Sequence, residues 1–513
     1  LGTISVISGK WYWEISGFTS GATYTEPGVT VATTAVTSSD VQVFAGEDGA
    51  IAYRQNGVLN TEGSQTSSWG ATYDDGDIVG VALDLDSGTN TVKFYKNNAL
   101  QGTVNLTGNF TGEAVLPFFG SFQTYCTANF GQDSSFAAHK TSGSAAANDG
   151  KYGDFYYAPP SGYLALCTQN LPAVAVTPSE HFNTVLYSGD TSVDRDITGV
   201  GFDPDFVWLK VRNNTYEQLW FDKLRGAGER IYSHNSNAQS TNDSTLNAFI
   251  TDGFTIGNGS TVDLSVNGSG KLYASWNWKA NGTGSANTVG DLDSTVSVNA
   301  AAGFSIVKYV GDQTSAQTVG HGLGVVPEMI IVKQYDLAKN WAVYHTAMGN
   351  THSLKINETE AQYDNVNRWN DTTPTDAVFS IGTSDETNYT DDNHIAYCFA
   401  SIDGYSKVGS YTGNGNADGT FVYTGFRPAW IMVKHTTQVE AWTLWDTARD
   451  IDNPADLRFF PNASTGETQN ALAVDILSNG FKFRHADASF NDDGDTFIYL
   501  AFAETPFKYS NAR

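Results

Sequence analysis

The run Phe202-Asp203-Pro204-Asp205-Phe206-Val207-Trp208-Leu209-Lys210 has two further versions downstream. Val325-Val326-Pro327-Glu328-Met329-Ile330-Ile331-Val332-Lys333 is one, and Phe426-Arg427-Pro428-Ala429-Trp430-Ile431-Met432-Val433-Lys434 the other. In each, lysine follows proline by six residues, with large apolar side chains between. Such a run reads as a buried strand, with Pro at its start, where no ladder N–H is required. The closing lysine is expected to mark the exit of the strand into water.

Working outward, the same three places agree at longer range. Eight, eleven and twelve residues after the lysine stand Gln218, Phe221 and Asp222; Trp341, Tyr344 and His345; Trp442, Trp445 and Asp446. Upstream lies Tyr-x-Gly, at Tyr187/Gly189, Tyr309/Gly311 and Tyr411/Gly413. Downstream come an aromatic strand start at Phe254, Phe379 and Phe481, then closing strands over 272–278, 395–399 and 497–502. This sets three units of about 100 residues, 182–280, 303–402 and 404–508, with a linker at 281–302. Units of that size are expected to bury their own cores, as an array of domains rather than a thin solenoid.

Tyr, Phe, Trp, Thr, Val and Gly dominate short runs punctuated by Asn-Gly, Asp-Gly and Ser-Gly, which favours strands and tight turns. No stretch carries sustained helical periodicity. The reading is therefore an all-β chain, a multi-domain array of β-sandwiches. The net charge is −27 over 513 residues. Residues 1–170 hold 15 acidic and 6 basic side chains, a net of −9, leaving −18 for the rest, so the acidity is spread along the chain. Such a surface repels phosphate backbones and excludes nucleic acid as a partner. Cys126, Cys167 and Cys398 are odd in number, lack metal-ligand spacing and stand in apolar contexts, so buried free thiols are expected. No apolar run approaches the ~20 residues of a membrane span. There is no signal peptide and no initiator Met; the chain opens on Leu1 close to a strand, and further residues upstream are expected.

Before the repeats, Gly9-Lys10-Trp11-Tyr12-Trp13-Glu14-Ile15 is a strand with aromatics on both faces. Gly76-Asp77-Ile78-Val79-Gly80-Val81-Ala82-Leu83-Asp84-Leu85 alternates, Asp86 to Asn90 turns, and Thr91 to Lys96 returns. Leu116-Pro117-Phe118-Phe119-Gly120 and Ala128-Asn129-Phe130-Gly131-Gln132 complete the set. On these motifs residues 1–135 resemble a SPRY domain, with Gly28-Val29-Thr30-Val31-Ala32 a loose match to one further segment. The resemblance implies a bent β-sandwich that binds ligands by loops at one end and carries no catalysis. Residues 136–181 read as a connector, with a small-residue loop at 143–150 and a strap through Tyr156-Tyr157-Ala158-Pro159-Pro160-Ser161-Gly162-Tyr163. That phrase, and the repeats, resemble bacteriophage virion proteins, most closely in the first repeat. The second repeat departs by lacking Arg-Gly and carrying His345 where the others have Asp.

Chemistry-bearing residues are few. Asn491-Asp492-Asp493-Gly494-Asp495 offers Asp492, Asp493 and Asp495 as candidate calcium ligands, set against a solvated hairpin, since the distal bidentate glutamate of a calcium loop is missing. Asp84/Asp86 and Asp391/Asp392 are further acidic pairs. His345 is a candidate general base, set against a structural hydrogen bond at a strand end. Trp69, in Gln65-Thr66-Ser67-Ser68-Trp69-Gly70, is the candidate binding residue, able to stack on a sugar face or to fold back onto the sandwich. The connections 34–40 and 60–73 are the expected recognition loops. No nucleophile elbow, zinc-protease motif or phosphate loop is present.

Taken with the resemblance, these residues imply a non-enzymatic phage virion protein without cofactors, a tail fibre or appendage adhesin outside the cell. Its expected partners are other virion proteins and a host-surface glycan or protein. It is expected to be a homo-oligomer, trimeric by analogy with appendages. A capsid or tail decoration protein is the alternative. A polysaccharide-degrading tailspike is the third reading, against which the long repeat period speaks.

Overall fold

The computed structural model describes residues 4–18, 25–31, 49–121, 126–143, 145–146 and 152–509. It is 44% strand and 7% helix, and no described α-helix exceeds four residues. The chain divides into two compact units, Leu1–Ala173 and Val174–Arg513.

The first unit is a sandwich of ten strands: β1 (Lys10–Ser16), β2 (Thr25–Val31), β3 (Ala50–Tyr53), β4 (Leu59–Thr61), β5 (Ser64–Thr66), β6 (Ile78–Asp84), β7 (Thr91–Lys96), β8 (Ala99–Asn105), β9 (Val115–Ser121) and β10 (Thr127–Asn129). One sheet runs β5-β4-β3-β2-β9 and the other β10-β1-β6-β7-β8. The stretch expected as a connector belongs to this unit up to Ala173. Within it, β11 (Ala145–Ala146) pairs with β12 (Asp154–Phe155), and β13 (Leu164–Ala165) lies parallel to β1, with Trp11 opposite Leu164 and Tyr12 opposite Ala165. The physical reason is the double-faced aromatic pattern of β1. Tyr12 points away from the partner sheet and needs cover, which Phe155, Tyr163 and Ala165 provide.

In the second unit three sheets repeat one plan. An opening strand pairs with the closing strand, the closing strand with the proline strand, and that with a hairpin partner. The opening strands are Phe182–Ser188, Phe304–Val310 and Ser406–Thr412; the proline strands are Phe206–Val211, Met329–Gln334 and Phe426–His435. The closing strands are Leu272–Trp278, Asn393–Phe399 and Thr496–Pro506. The register agrees: Phe206 faces Trp278, Met329 faces Phe399, and Trp430 faces Phe502. Pro204 and Pro327 precede their strands. Pro428 instead lies inside a longer strand, where the register shifts on both sides of it, a bulge that absorbs the missing donor.

One face of each sheet meets a smaller sheet of its own repeat, where Phe254, Phe379 and Phe481 are fully buried opposite Ile197, Val319 and Val422. The other faces meet one another. Trp208, Trp220, Trp276, Trp278, Phe304, Trp341, Tyr397, Phe399, Trp430, Trp442 and Phe502 lie in a single hydrophobic cluster drawn from all three repeats. Rings meet across the seams: Phe182 stacks on Phe502 at 4.9 Å, Phe206 lies tilted against Tyr397 at 4.7 Å, and Trp220 meets Trp341 edge-on at 4.9 Å. The repeats thus share a core rather than standing as separate beads. Residues 281–302, expected as a linker, contain the strands Ser285–Asn287 and Ser294–Asn299, which extend the second sheet past its opening strand.

Candidate functional site

The lysines closing the proline strands do not exit into water. Lys210, Lys333 and Lys434 have no exposed surface. Lys210 Nζ donates to the carbonyls of Tyr216 (2.6 Å) and Ser464 (2.7 Å). Lys333 donates to Lys339 (2.5 Å) and Ser236 (3.2 Å), and Lys434 to His435 (2.7 Å), Thr359 (3.3 Å) and Gln438 (3.4 Å). One acceptor in each set comes from another repeat, in cyclic order: first to third, second to first, third to second. The position eight residues on follows the same cycle. Gln218 donates to Phe460 and Ala463, Trp341 Nε1 to the Tyr232 carbonyl at 3.0 Å, and Trp442 Nε1 to that of Lys355 at 2.9 Å.

The position twelve residues on explains His345. Asp222 holds Arg225 at 2.6 Å and accepts the Tyr397 hydroxyl of the second repeat at 2.8 Å. Asp446 holds Arg449 at 2.5 Å and accepts Trp276 Nε1 of the first repeat at 3.1 Å. By register, the third repeat has Leu500 where the others have Trp276 and Tyr397, so it offers no donor to an aspartate. His345 stands there instead, fully buried, its Nδ1 accepting from the Ala347 N–H at 3.1 Å. Burial pushes its pKa down to about 4. A ring sealed from solvent has no substrate proton within reach, so the geometry fits the structural hydrogen bond and not the general base.

The Tyr-x-Gly motif forms a corner that the sequence reading left incomplete. Tyr187, Tyr309 and Tyr411 donate their hydroxyls to the carbonyls of Val266, Thr387 and Phe490, each at 2.7 Å. The next residues, Asn267, Asn388 and Asn491, are wholly buried and bond back to the segment after the glycine. The glycines leave no room for a side chain: a Cβ on Gly189, Gly311 or Gly413 would lie 2.1, 2.4 and 2.1 Å from a carbonyl oxygen. A signal was available, since Asn precedes its closing strand by five residues in all three repeats.

Of the acidic candidates, Asp492, Asp495 and the buried His435 bring ligand atoms within 4.8 Å of one another, whereas Asp493 stays outside the group. The chemistry of the donors opposes a cation. His435 Nδ1 accepts from the N–H groups of Thr437 and Gln438, both at 3.2 Å, so the neutral ring carries its proton on Nε2. That nitrogen lies 3.2 Å from Asp495 and carries a proton rather than a free lone pair, without completing a hydrogen bond there. The second repeat places a glutamine amide at the equivalent position, with Gln334 Nε2 donating to Asp392 at 2.5 Å. Asp84 and Asp86 are likewise consumed by their turn: Asp84 pairs with Lys10 and accepts from two backbone N–H groups, and Asp86 accepts from Gly9.

In the sandwich, Trp69 is half-buried. Its ring meets Tyr53 (5.5 Å) and Phe94 (5.9 Å) edge-on, and Gly102 is small because the indole lies over it. Residues 60–73 are not a free loop: β4 and β5 pair within them, and the Trp69 N–H donates to Gly57. Residues 34–40 lie outside the described residues. Missed from sequence was Glu14, buried beneath the strap, where it accepts from the N–H groups of Tyr156 and Tyr157 at 2.8 Å. Burial raises its pKa to about 7 despite those bonds. Cys398 is buried, but Cys126 and Cys167 are only partly so; all three are free thiols.

Every buried carboxylate among the described residues has an internal partner. Glu14, Asp84, Asp222 and Asp446 are described above; Glu26 pairs with Arg54, and Asp205 with Lys223. No described helix is long and apolar enough to cross a membrane.

The two units have separate affinities among known proteins. Residues 10–133 match the SPRY domain family, so the chain carries a SPRY domain at its N-terminal side. Residues 177–506 match the family described as Domain of unknown function (DUF7483). That match spans well over half of the chain, and the protein belongs to this family. No curated protein matches. Among solved structures, a human SPRY domain is similar at 15% identity over 24% of this chain and 81% of its own, with a TM-score of 0.20.

Proposed function

We propose that the chain is a non-enzymatic virion protein of a bacteriophage, a tail fibre or similar appendage whose SPRY domain adheres to a host-surface glycan or protein. The repeat block serves as its rigid body and contacts other virion proteins. The observation that supports the non-enzymatic part is that each buried carboxylate among the described residues is matched by an internal partner. The phage assignment rests on the strap phrase and on the first repeat, which resemble phage virion sequences, and on a binding-module fold set before a repeat block. The test is to label the chain on intact particles by electron microscopy and to titrate the purified protein against host cells. Label at the free end of the tail with saturable binding supports the adhesin. Label spread over the capsid without binding points to decoration, and absence from the particle overturns the proposal.

A further inference from the structure

Three features of Lys210, Lys333 and Lys434 coincide. Each is sealed from solvent, and each bridges a seam between repeats. None has a carboxylate oxygen within 4.0 Å among the described residues, the distance that defines an ion pair. The acceptors are carbonyls only. Lys210 and Lys333 face two apiece, which matches the two N–H groups of a neutral amine and leaves the third proton of an ammonium without an acceptor. Lys434 has one short acceptor at 2.7 Å and two beyond 3.2 Å.

We propose that these three lysines form a proton-operated latch on the ring of repeats, holding the seams while neutral and loosening them when protonated. An ammonium buried without a counter-ion is costly, because its hydration is lost and carbonyl dipoles replace only part of it. Burial accordingly pushes the pKa of Lys210 and Lys333 down to about 7 and that of Lys434 to about 8. The surrounding charges do not neutralise them. Near Lys210 are the Phe459 ring, His234 and the Arg212–Glu467 pair, with Glu467 also reaching Arg449. Near Lys333 are His394 and Glu386, the latter engaged by Arg368, and the Lys339–Asp385 pair. Near Lys434 are Glu440 and the His435–Asp495 pair.

The sign follows from proton linkage. Between the depressed folded pKa and the ordinary value of 10.5, the unfolded chain binds more protons than the folded one, so stability rises with pH. The unfolding equilibrium constant falls by up to about tenfold per lysine per pH unit across that window. Below it the lysines are charged in both states and the dependence stops.

The experiment is calorimetric melting of the full chain between pH 6 and 9.5, compared with Lys210→Met, Lys333→Met, Lys434→Met and the triple variant. Methionine keeps most of the buried stem and removes the titrating group. The melting temperature of the repeat block should climb as pH rises above 7 in the parent protein. Each single variant should lose about a third of that slope, and the triple variant nearly all of it. Single variants that keep the full parent slope, with no loss in any of the three, overturn the latch whether or not the triple variant folds, as does a flat parent profile.

Discussion

At the residue scale, burial decides more than residue type. Glu14 is a charged residue in an aromatic strand, and only the structure shows why it is tolerated: two backbone N–H groups of the strap end on it. Its folded pKa lies above the ordinary 4.5, so the folded state binds the extra proton. Stability from this group is fully present below the ordinary value and is lost as pH rises through about 7. The expected swing is about 3 kcal/mol, taking 1.36 kcal/mol per pKa unit. Glu14→Gln should flatten this acid-side arm in melts of the first unit between pH 4.5 and 8; an unchanged profile would show that another group carries it. Trp69 makes a second case. With its ring wedged against Tyr53 and Phe94, Trp69→Ala should lower the stability of the sandwich by about 1–2 kcal/mol, less than for a fully buried indole. Denaturant melts of the variant check this, and a loss near zero would return Trp69 to the role of a free binding aromatic.

At the element scale, the proline strands, the aromatic starts and the closing strands are legible in the sequence. Buried strands leave apolar runs, and turns leave Gly, Asn and Asp. The lysine at the end of each proline strand is not legible in the same way. A cation after an apolar run reads locally as an exit to solvent, whereas the carbonyl that receives Lys210 belongs to Ser464, 254 residues away. The tyrosine corner was half legible: Tyr-x-Gly is visible, but the Asn that completes it acts through tertiary contacts. Gly311→Ala would force a methyl group against the Tyr389 carbonyl, and Asn388→Ala would orphan two backbone N–H groups and two carbonyls. Each should cost about 1–3 kcal/mol, with Tyr309→Phe nearer 1 kcal/mol. Urea melts rank the three, and a silent Asn388→Ala would mean the corner is not a source of stability. The outer edges of the first and third opening strands are partly occupied as well. The Thr184 N–H is taken by Asn183, the Ser188 carbonyl by Arg195, and Val408 by Ser401, devices that discourage edge-to-edge pairing.

At the scale of the whole molecule, the repeat count was legible and the packing was not. A hydrophobic strand face looks the same whether it meets its own repeat or a neighbour. The spacing therefore sets three units but does not reveal that half of each apolar surface is reserved for the other two. The seam between the third repeat and the first is built on the plan of the other two, with the equivalent lysine, a side-chain donor eight residues later (Gln218 in place of tryptophan) and aromatic rings in contact. The ends of the block also meet: a Cβ on Gly404 would lie 3.0 Å from Val174 and 3.4 Å from Pro506. The central claim is that the three repeats form one closed body around one core. Native-state hydrogen exchange on the full chain, followed strand by strand in rising denaturant, tests it most directly. The slowest amides of Leu272–Trp278, Asn393–Phe399 and Thr496–Pro506 should share one opening free energy and one denaturant slope, because no repeat opens without exposing the common core. Three separate free energies with three smaller slopes would show independently folding domains and contradict the account.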